Sequence, residues 1–134
     1  MKLKDIMNTN LEFINADESV YDAIEKIVDK RIRSLLVTHV DNRDDYGLIT
    51  VRDIVYKVID KGLDIKQTKI KEIASSPLIC INKEEILDEI IKMMSKANVS
   101  RVFICENNKI IGVISLVDIL KAYLVSSAKG EDIV

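Results

Sequence analysis

From Ser19 to Lys30 the apolar residues fall at Val20, Ala23, Ile24, Ile27 and Val28, with polar and charged residues between them. Spacing by three and four puts those side chains on one face of a helix. Acidic residues crowd the start of this stretch and Lys30–Arg31 close it, as a helix dipole favours. The period then changes. "SLLVTHV" (34–40) and "GLIT" (47–50) are short β-type runs joined by a polar, Asp-rich turn, which predicts a hairpin. A short extended piece, Phe13–Ile14, precedes the helix. A second helix is predicted from Thr50 to about Asp60, with Gly62 as its stop.

The same order of elements then recurs. At a shift of 67, "KLKDIM" (2–7) lies over "KIKEIA" (69–74), and "INADESVYDAIEKI" (14–27) over "INKEEILDEIIKMM" (81–94). "IRSLLV" (32–37) lies over "VSRVFI" (99–104). The shift drops to 65 across the hairpin turn, where loops absorb length differences. "GLITVRDI" (47–54) then lies over "GVISLVDI" (112–119). The second copy predicts an extended piece at Ile79–Ile81, a helix at Glu85–Lys96, a hairpin of "RVFIC" and "IIGVIS", and a helix at Ser115–Ser126. The chain reads as a duplication, 1–66 and 67–134, with Lys61–Thr68 joining the halves. One unit is too short to bury its helices and sheet alone. Two units packed face to face about a pseudo-twofold axis form one module with two equivalent clefts.

Composition narrows the function classes. The 134 residues carry a net charge of −2, 48% apolar and 31% charged residues. That balance offers no basic face for nucleic acid and no polybasic membrane signal. No apolar run approaches the length of a membrane span. The first residues, "MKLKDIMNTN", lack the apolar centre of a secretory leader, so a cytoplasmic location is expected. Cys80 and Cys105 both sit in apolar, β-branched surroundings and read as buried free thiols. His39 is the sole histidine and no cysteine pair has ligand spacing, so no metal site is expected. "DNRDD" (41–45) is acidic, but Tyr46 and Arg52 stand where a calcium loop of the EF-hand type needs Gly and Glu. It reads as a solvated loop. No nucleophile lies beside a base in the pattern, and no Gly-rich loop carries a lysine, so the chain does not read as an enzyme.

The repeated octamer carries the candidate chemistry. Thr50-x-x-Asp53 and Ser115-x-x-Asp118 both fit a capping box, in which hydroxyl and carboxylate each accept from the other's backbone N–H. Each octamer also begins Gly-apolar-apolar, which a capping box does not require. A strand end turning into a helix N-terminus offers N–H groups suited to a phosphorylated ligand. A carboxylate there can accept from two adjacent ribose hydroxyls. The capping and ligand roles are compatible.

With both octamers, the "Asp-Glu-Ser-Val-x-x-Ala" helix start (Asp17–Ala23) and the "Ile-x-Ser-Leu" strand start (Ile32–Leu35), the sequence resembles the cystathionine-β-synthase (CBS) domain family over nearly its whole length. The resemblance implies a mixed α/β (α+β) fold, a stand-alone tandem pair of β-α-β-β-α repeats. It implies a regulatory module that binds AMP, ADP, ATP or a related adenosyl ligand in clefts between the repeats, with no further cofactor. Asp53 and Asp118 would then hold ribose hydroxyls, and Thr50 and Ser115 ribose or phosphate. Ile14–Ala16 and Ile81–Lys83 would line the base pocket, and Ile32 and Val99 would flank the base. Arg33 and Arg101, beside Ser34 and Ser100, would meet phosphates from different registers. Family members often carry Pro where Leu36 and Phe103 stand. A homodimer formed through the outer helices and an unidentified regulated protein are the implied partners. The alternative reading is a ligand-free module that docks on a separate enzyme or transporter.

Overall fold

The computed structural model describes residues 2–39, 46–75, 78 and 80–130. The loop expected at "DNRDD" and the extended start expected at Ile79 lie outside the described residues. The chain forms two compact bodies, one of Glu12–Leu78 and one of Met1–Leu11 with Ile79–Val134.

In the first body β1 (Phe13–Asn15) leads into α1 (Val20–Lys30), β2 (Ser34–Thr38), β3 (Gly47–Thr50) and α2 (Val51–Ile54). The strands form one sheet in the order β1-β2-β3. β1 runs parallel to β2 with Ile14 opposite Val37, and β2 runs antiparallel to β3 with Ser34 opposite Thr50. The amphipathic pattern of α1 works as expected: Val20, Ala23 and Ile27 are buried, and Ile24 packs beside them against Leu35, Val37 and Ile49. Ser19 caps the helix and Asp22 returns the bond to the Ser19 N–H. The chain leaves α1 at Arg31, in the left-handed conformation.

The second body repeats the plan with β4 (Cys80–Asn82), α3 (Leu87–Ala97), β5 (Arg101–Glu106), β6 (Lys109–Ser115) and α4 (Leu116–Lys129), in sheet order β4-β5-β6. Its core holds Leu3, Ile81, Leu87, Ile90, Met94, Val102, Ile104, Ile114 and Ile119. α3 also ends left-handed, at Asn98.

Two findings depart from the sequence reading of helices and thiols. The helix predicted from Thr50 to Asp60 is α-helical only over its first turn. Val55–Ile59 form a wider π turn, in which the Asp60 N–H reaches the Val55 carbonyl. Its counterpart α4 runs unbroken for 14 residues. Cys80 and Cys105 are also not free thiols: they form a disulfide. The two cysteines lie on the paired strands β4 and β5, two residues out of register, with Cα atoms 5.4 Å apart, within bridging range. Cys105 is buried and Cys80 exposed.

The bodies are cut differently from the repeats because each repeat's leading segment packs in the other body. A 3-10 turn at Ile70–Glu72 packs with the first sheet, and Leu48 pairs with Ser75. The equivalent turn at Leu3–Asp5 packs with the second sheet, and Asn8 pairs with Val113. The segment expected only to join the halves is part of the first body. Thr68 is buried, Ile65 packs on the core, and their carbonyls accept from the Val20 and Tyr21 N–H groups.

Candidate functional site

Both octamers fold as capping boxes at a strand-to-helix junction. Thr50 and Ser115 are extended, so their side chains swing back over the first helical turn. The Asp53 N–H donates to Thr50 Oγ1 at 3.1 Å, and the Asp118 N–H to Ser115 Oγ at 3.2 Å. Asp53 Oδ2 accepts from the Thr50 N–H and Oγ1–H, both at 3.0 Å. Asp118 Oδ2 accepts from the Ser115 N–H at 2.8 Å and Oγ–H at 2.9 Å. Each cap therefore uses one carboxylate oxygen. The other differs between copies. Asp53 Oδ1 stands 3.0 Å from Lys57 Nζ, one helical turn on, and Lys57 also donates to the Ile73 carbonyl at 3.1 Å. Ala122 occupies the place of Lys57 in the second copy, so this ion pair has no counterpart there. Asp53 is largely enclosed, its side chain 16% exposed; Asp118 is also half-buried.

The octamer glycine has a packing reason that the sequence reading missed. A Cβ on Gly112 would lie 2.5 Å from Met7 Sδ. The glycine leaves room for the exchanged leading segment, which pairs one residue further on at Val113. The signal was available, since "KLKDIM" and "KIKEIA" repeat as clearly as the octamers.

The sheets sort the remaining candidates. Ser34 pairs with Thr50, the Arg33 carbonyl accepts from the Val51 N–H, and Arg33 is exposed. In the second body Arg101 pairs with Ser115, and the Ser100 carbonyl accepts from the Leu116 N–H. These residues gather beside the carboxylates. Ile32 packs on the first core, whereas Val99 is 43% exposed. Ile14 and Ala16 belong to the core, at 5% and 0% exposure. Ile14 lies opposite Val37, and the Ala16 N–H donates to Thr38 at the far end of β2 from Ser34. Three strand steps from Ser34 to Val37 span about 10 Å. Ile81 is likewise core, and the Lys83 N–H reaches Cys105. Within each body these residues lie toward the opposite end of the second strand from the octamer carboxylate. Glu12 comes nearer: its carbonyl accepts from Leu36, two residues after Ser34. The Lys83 ammonium is hydrogen-bonded to Glu106 at 2.7 Å, which pushes its pKa above the ordinary 10.5.

The CBS domain model matches residues 3–60 and again 70–125. The chain belongs to the CBS domain family. The two matches are the two halves of the duplication, making this a tandem CBS module. It is 30% identical to an uncharacterized protein of Methanocaldococcus jannaschii over 109 residues, covering 81% of this chain and 59% of that protein, so it spans little more than half of that relative. An uncharacterized conserved protein from Pyrococcus horikoshii matches with a TM-score of 0.75 and 28% identity, over 91% of each chain. A hexameric CBS-CP12 protein from bloom-forming cyanobacteria matches with a TM-score of 0.74 and 26% identity, over 96% of this chain and 88% of that one. Among the described residues no helix is long and apolar enough to cross a membrane.

Proposed function

We propose that the module is a non-catalytic regulator, acting in the cytoplasm, that binds an adenosine nucleotide or related adenosyl ligand at its two octamer junctions. The observation that carries the reading is the arrangement of Asp53 and Asp118. Each half-buried carboxylate spends Oδ2 on its own helix, while Oδ1 is outside the cap. A ribose diol is a donor pair of the right kind for that oxygen. Arg33 and Arg101, near the same junctions, are candidates for the phosphates, and membership of the CBS family supports the ligand class. At the first junction Lys57 already engages Oδ1, so the Ser115–Asp118 junction is read as the stronger site.

Self-association is part of the reading. α4 leaves Leu120 69% and Leu124 72% exposed, an apolar face suited to a second copy. A homodimer is the simplest closed form. The same exposed face favours the second reading, a ligand-free module docked on another protein.

Calorimetric titration with AMP, ADP and ATP separates the two. Ligand at a hundredfold excess over Kd adds about 2.7 kcal/mol of stability. Asp53→Ala and Asp118→Ala each weaken one site by roughly 1.5–3 kcal/mol per lost charged hydrogen bond. A 2′-deoxy ligand loses part of the same energy in the unaltered protein. Unchanged affinity in both variants removes the ribose role, and absence of binding favours the docking module.

A further inference from the structure

The Cys80–Cys105 bridge has one end in the core and the other at the surface. Cys105 is 7% exposed on β5, the middle strand of its sheet. Cys80 is the exposed first residue of β4, a three-residue strand at the sheet edge. Cys80 also lines a cavity of about 410 Å³, within the usual range for a small ligand. Ile90 and Met93 give that cavity an apolar side, and Asn82, Glu85 and Glu89 a polar one. Both carboxylates are exposed, and no lysine or arginine lines the cavity among the described residues. Glu85 accepts from the Ile86 N–H at 3.2 Å, and Glu89 pairs with Lys92 at 3.5 Å, an exposed contact that neutralises little of its charge. The first body has no equivalent, since Phe13 and Thr38 stand at the two cysteine positions.

We propose that this cavity is a thiol-exchange site, at which a small thiol bearing an ammonium group opens the bridge by attacking Cys80. A disulfide is the natural electrophile for a thiolate, and the exposed half of the bridge is the half a thiolate reaches. The two carboxylates favour a cationic thiol over an anionic one. As the thiolate attacks, a new S–S bond forms to Cys80 Sγ and the bond to Cys105 Sγ breaks. The electron pair leaves on Cys105 Sγ, which takes up the proton that the incoming thiol gave up. A second thiolate attacks the ligand sulfur of the mixed disulfide and releases Cys80 as a thiol. Two ligand thiols are thereby oxidised to one disulfide, and the protein disulfide is reduced to two thiols.

Opening removes the covalent tie on β4. The strand is then held by its parallel pairing to β5 and by the Lys83–Glu106 pair. The supply of thiol thus sets how firmly this sheet edge is fastened. The exchange is independent of any nucleotide at the octamer junctions.

The test uses the whole oxidised protein under native conditions, with cysteamine as the probe. N-ethylmaleimide traps the partly opened protein, and peptide mass mapping locates the adducts. The proposal expects cysteamine on Cys80 and the maleimide on Cys105. Opening rates are compared with those for mercaptoacetate, each divided by the same thiol's rate with a small unhindered disulfide. Cysteamine is expected to lead by about fivefold or more at low ionic strength, an advantage that added salt reduces. Glu85→Gln combined with Glu89→Gln removes the lead. Both residues are exposed, so that variant keeps the fold, which an unchanged circular dichroism spectrum verifies. Cysteamine found on Cys105, equal normalised rates in the unaltered protein, or opening no faster than the second body unfolds each overturn it. So does a lead that survives in the double variant.

Discussion

The two CBS repeats share a backbone plan and differ in how they secure its edges. Both bodies have a parallel first strand, an antiparallel hairpin, a left-handed exit from the first helix and a capping box at the second. The first body fastens residues 70–71 to residues 16–18 with backbone bonds and the Lys71–Asp17 pair, and ties its cap carboxylate to Lys57. The second has Ala122 in the place of that lysine and carries a disulfide. Where the first copy has the cysteine positions, it has Phe13 and Thr38. Duplication thus keeps the elements that the main chain requires and frees the polar edges to diverge.

The largest test of that contrast is reduction. The Cys80–Cys105 bridge closes a loop of 25 residues, and losing it costs about 3 kcal/mol in the chain-entropy account. Denaturant unfolding with and without a thiol reductant is expected to weaken the second body and leave the first unchanged; equal loss in both would contradict a local staple. The caps come next. Thr50→Ala and Ser115→Ala each cost about 1 kcal/mol. In the first copy the Asp53–Lys57 pair outlasts the change, so its loss is the smaller of the two by denaturation.

The left-handed exits give a smaller effect of opposite sign. Arg31 has φ 55° and Asn98 has φ 55°. Arginine pays for that conformation, whereas asparagine tolerates it. Arg31→Gly is expected to stabilise by about 0.5–1 kcal/mol and Asn98→Ala to destabilise by a similar amount, both read from thermal melts.

Protonation separates the bodies most gently. The hydrogen bond from Lys71, then its charge, holds the exposed Asp17 carboxyl below its ordinary 3.8. Its contribution is complete above 3.8 and is lost as the pH falls through the lowered value. The hydrogen bond and charge of Glu106 hold Lys83 above 10.5, so that contribution is complete below 10.5 and is lost as the pH rises through the raised value. Amide shifts of Ile70 and Lys71 should move at the acid end, and those of Lys83 at the alkaline end. Movement of both sets at one end would break the assignment.

What was legible in the residues follows from periodicity and local chemistry. The 3.6-residue spacing of Val20, Ala23 and Ile27, the short β-type runs of the hairpins and the Thr50-x-x-Asp53 spacing each act over a few residues, and each produced its element. The disulfide depends on the register between β4 and β5, which are separated by a helix. The exchange of leading segments depends on which sheet edge each one reaches. The π turn at Val55–Ile59 coincides with Lys57, held between Asp53 and the Ile73 carbonyl, a contact 16 residues along the chain. The separation of Ile14 and Ala16 from Thr50 follows from running β1 parallel and β3 antiparallel to β2, a choice that apolar composition does not encode.

The exchange of leading segments also orders events during synthesis. Residues 2–8 leave the ribosome well before the strand they pair with, at Val113. Until then they have no edge to join, and a protease meets them as bare chain. A cut placed at the repeat boundary between residues 66 and 67 would strand both edge pieces on the wrong fragment, so neither half could be finished from its own residues.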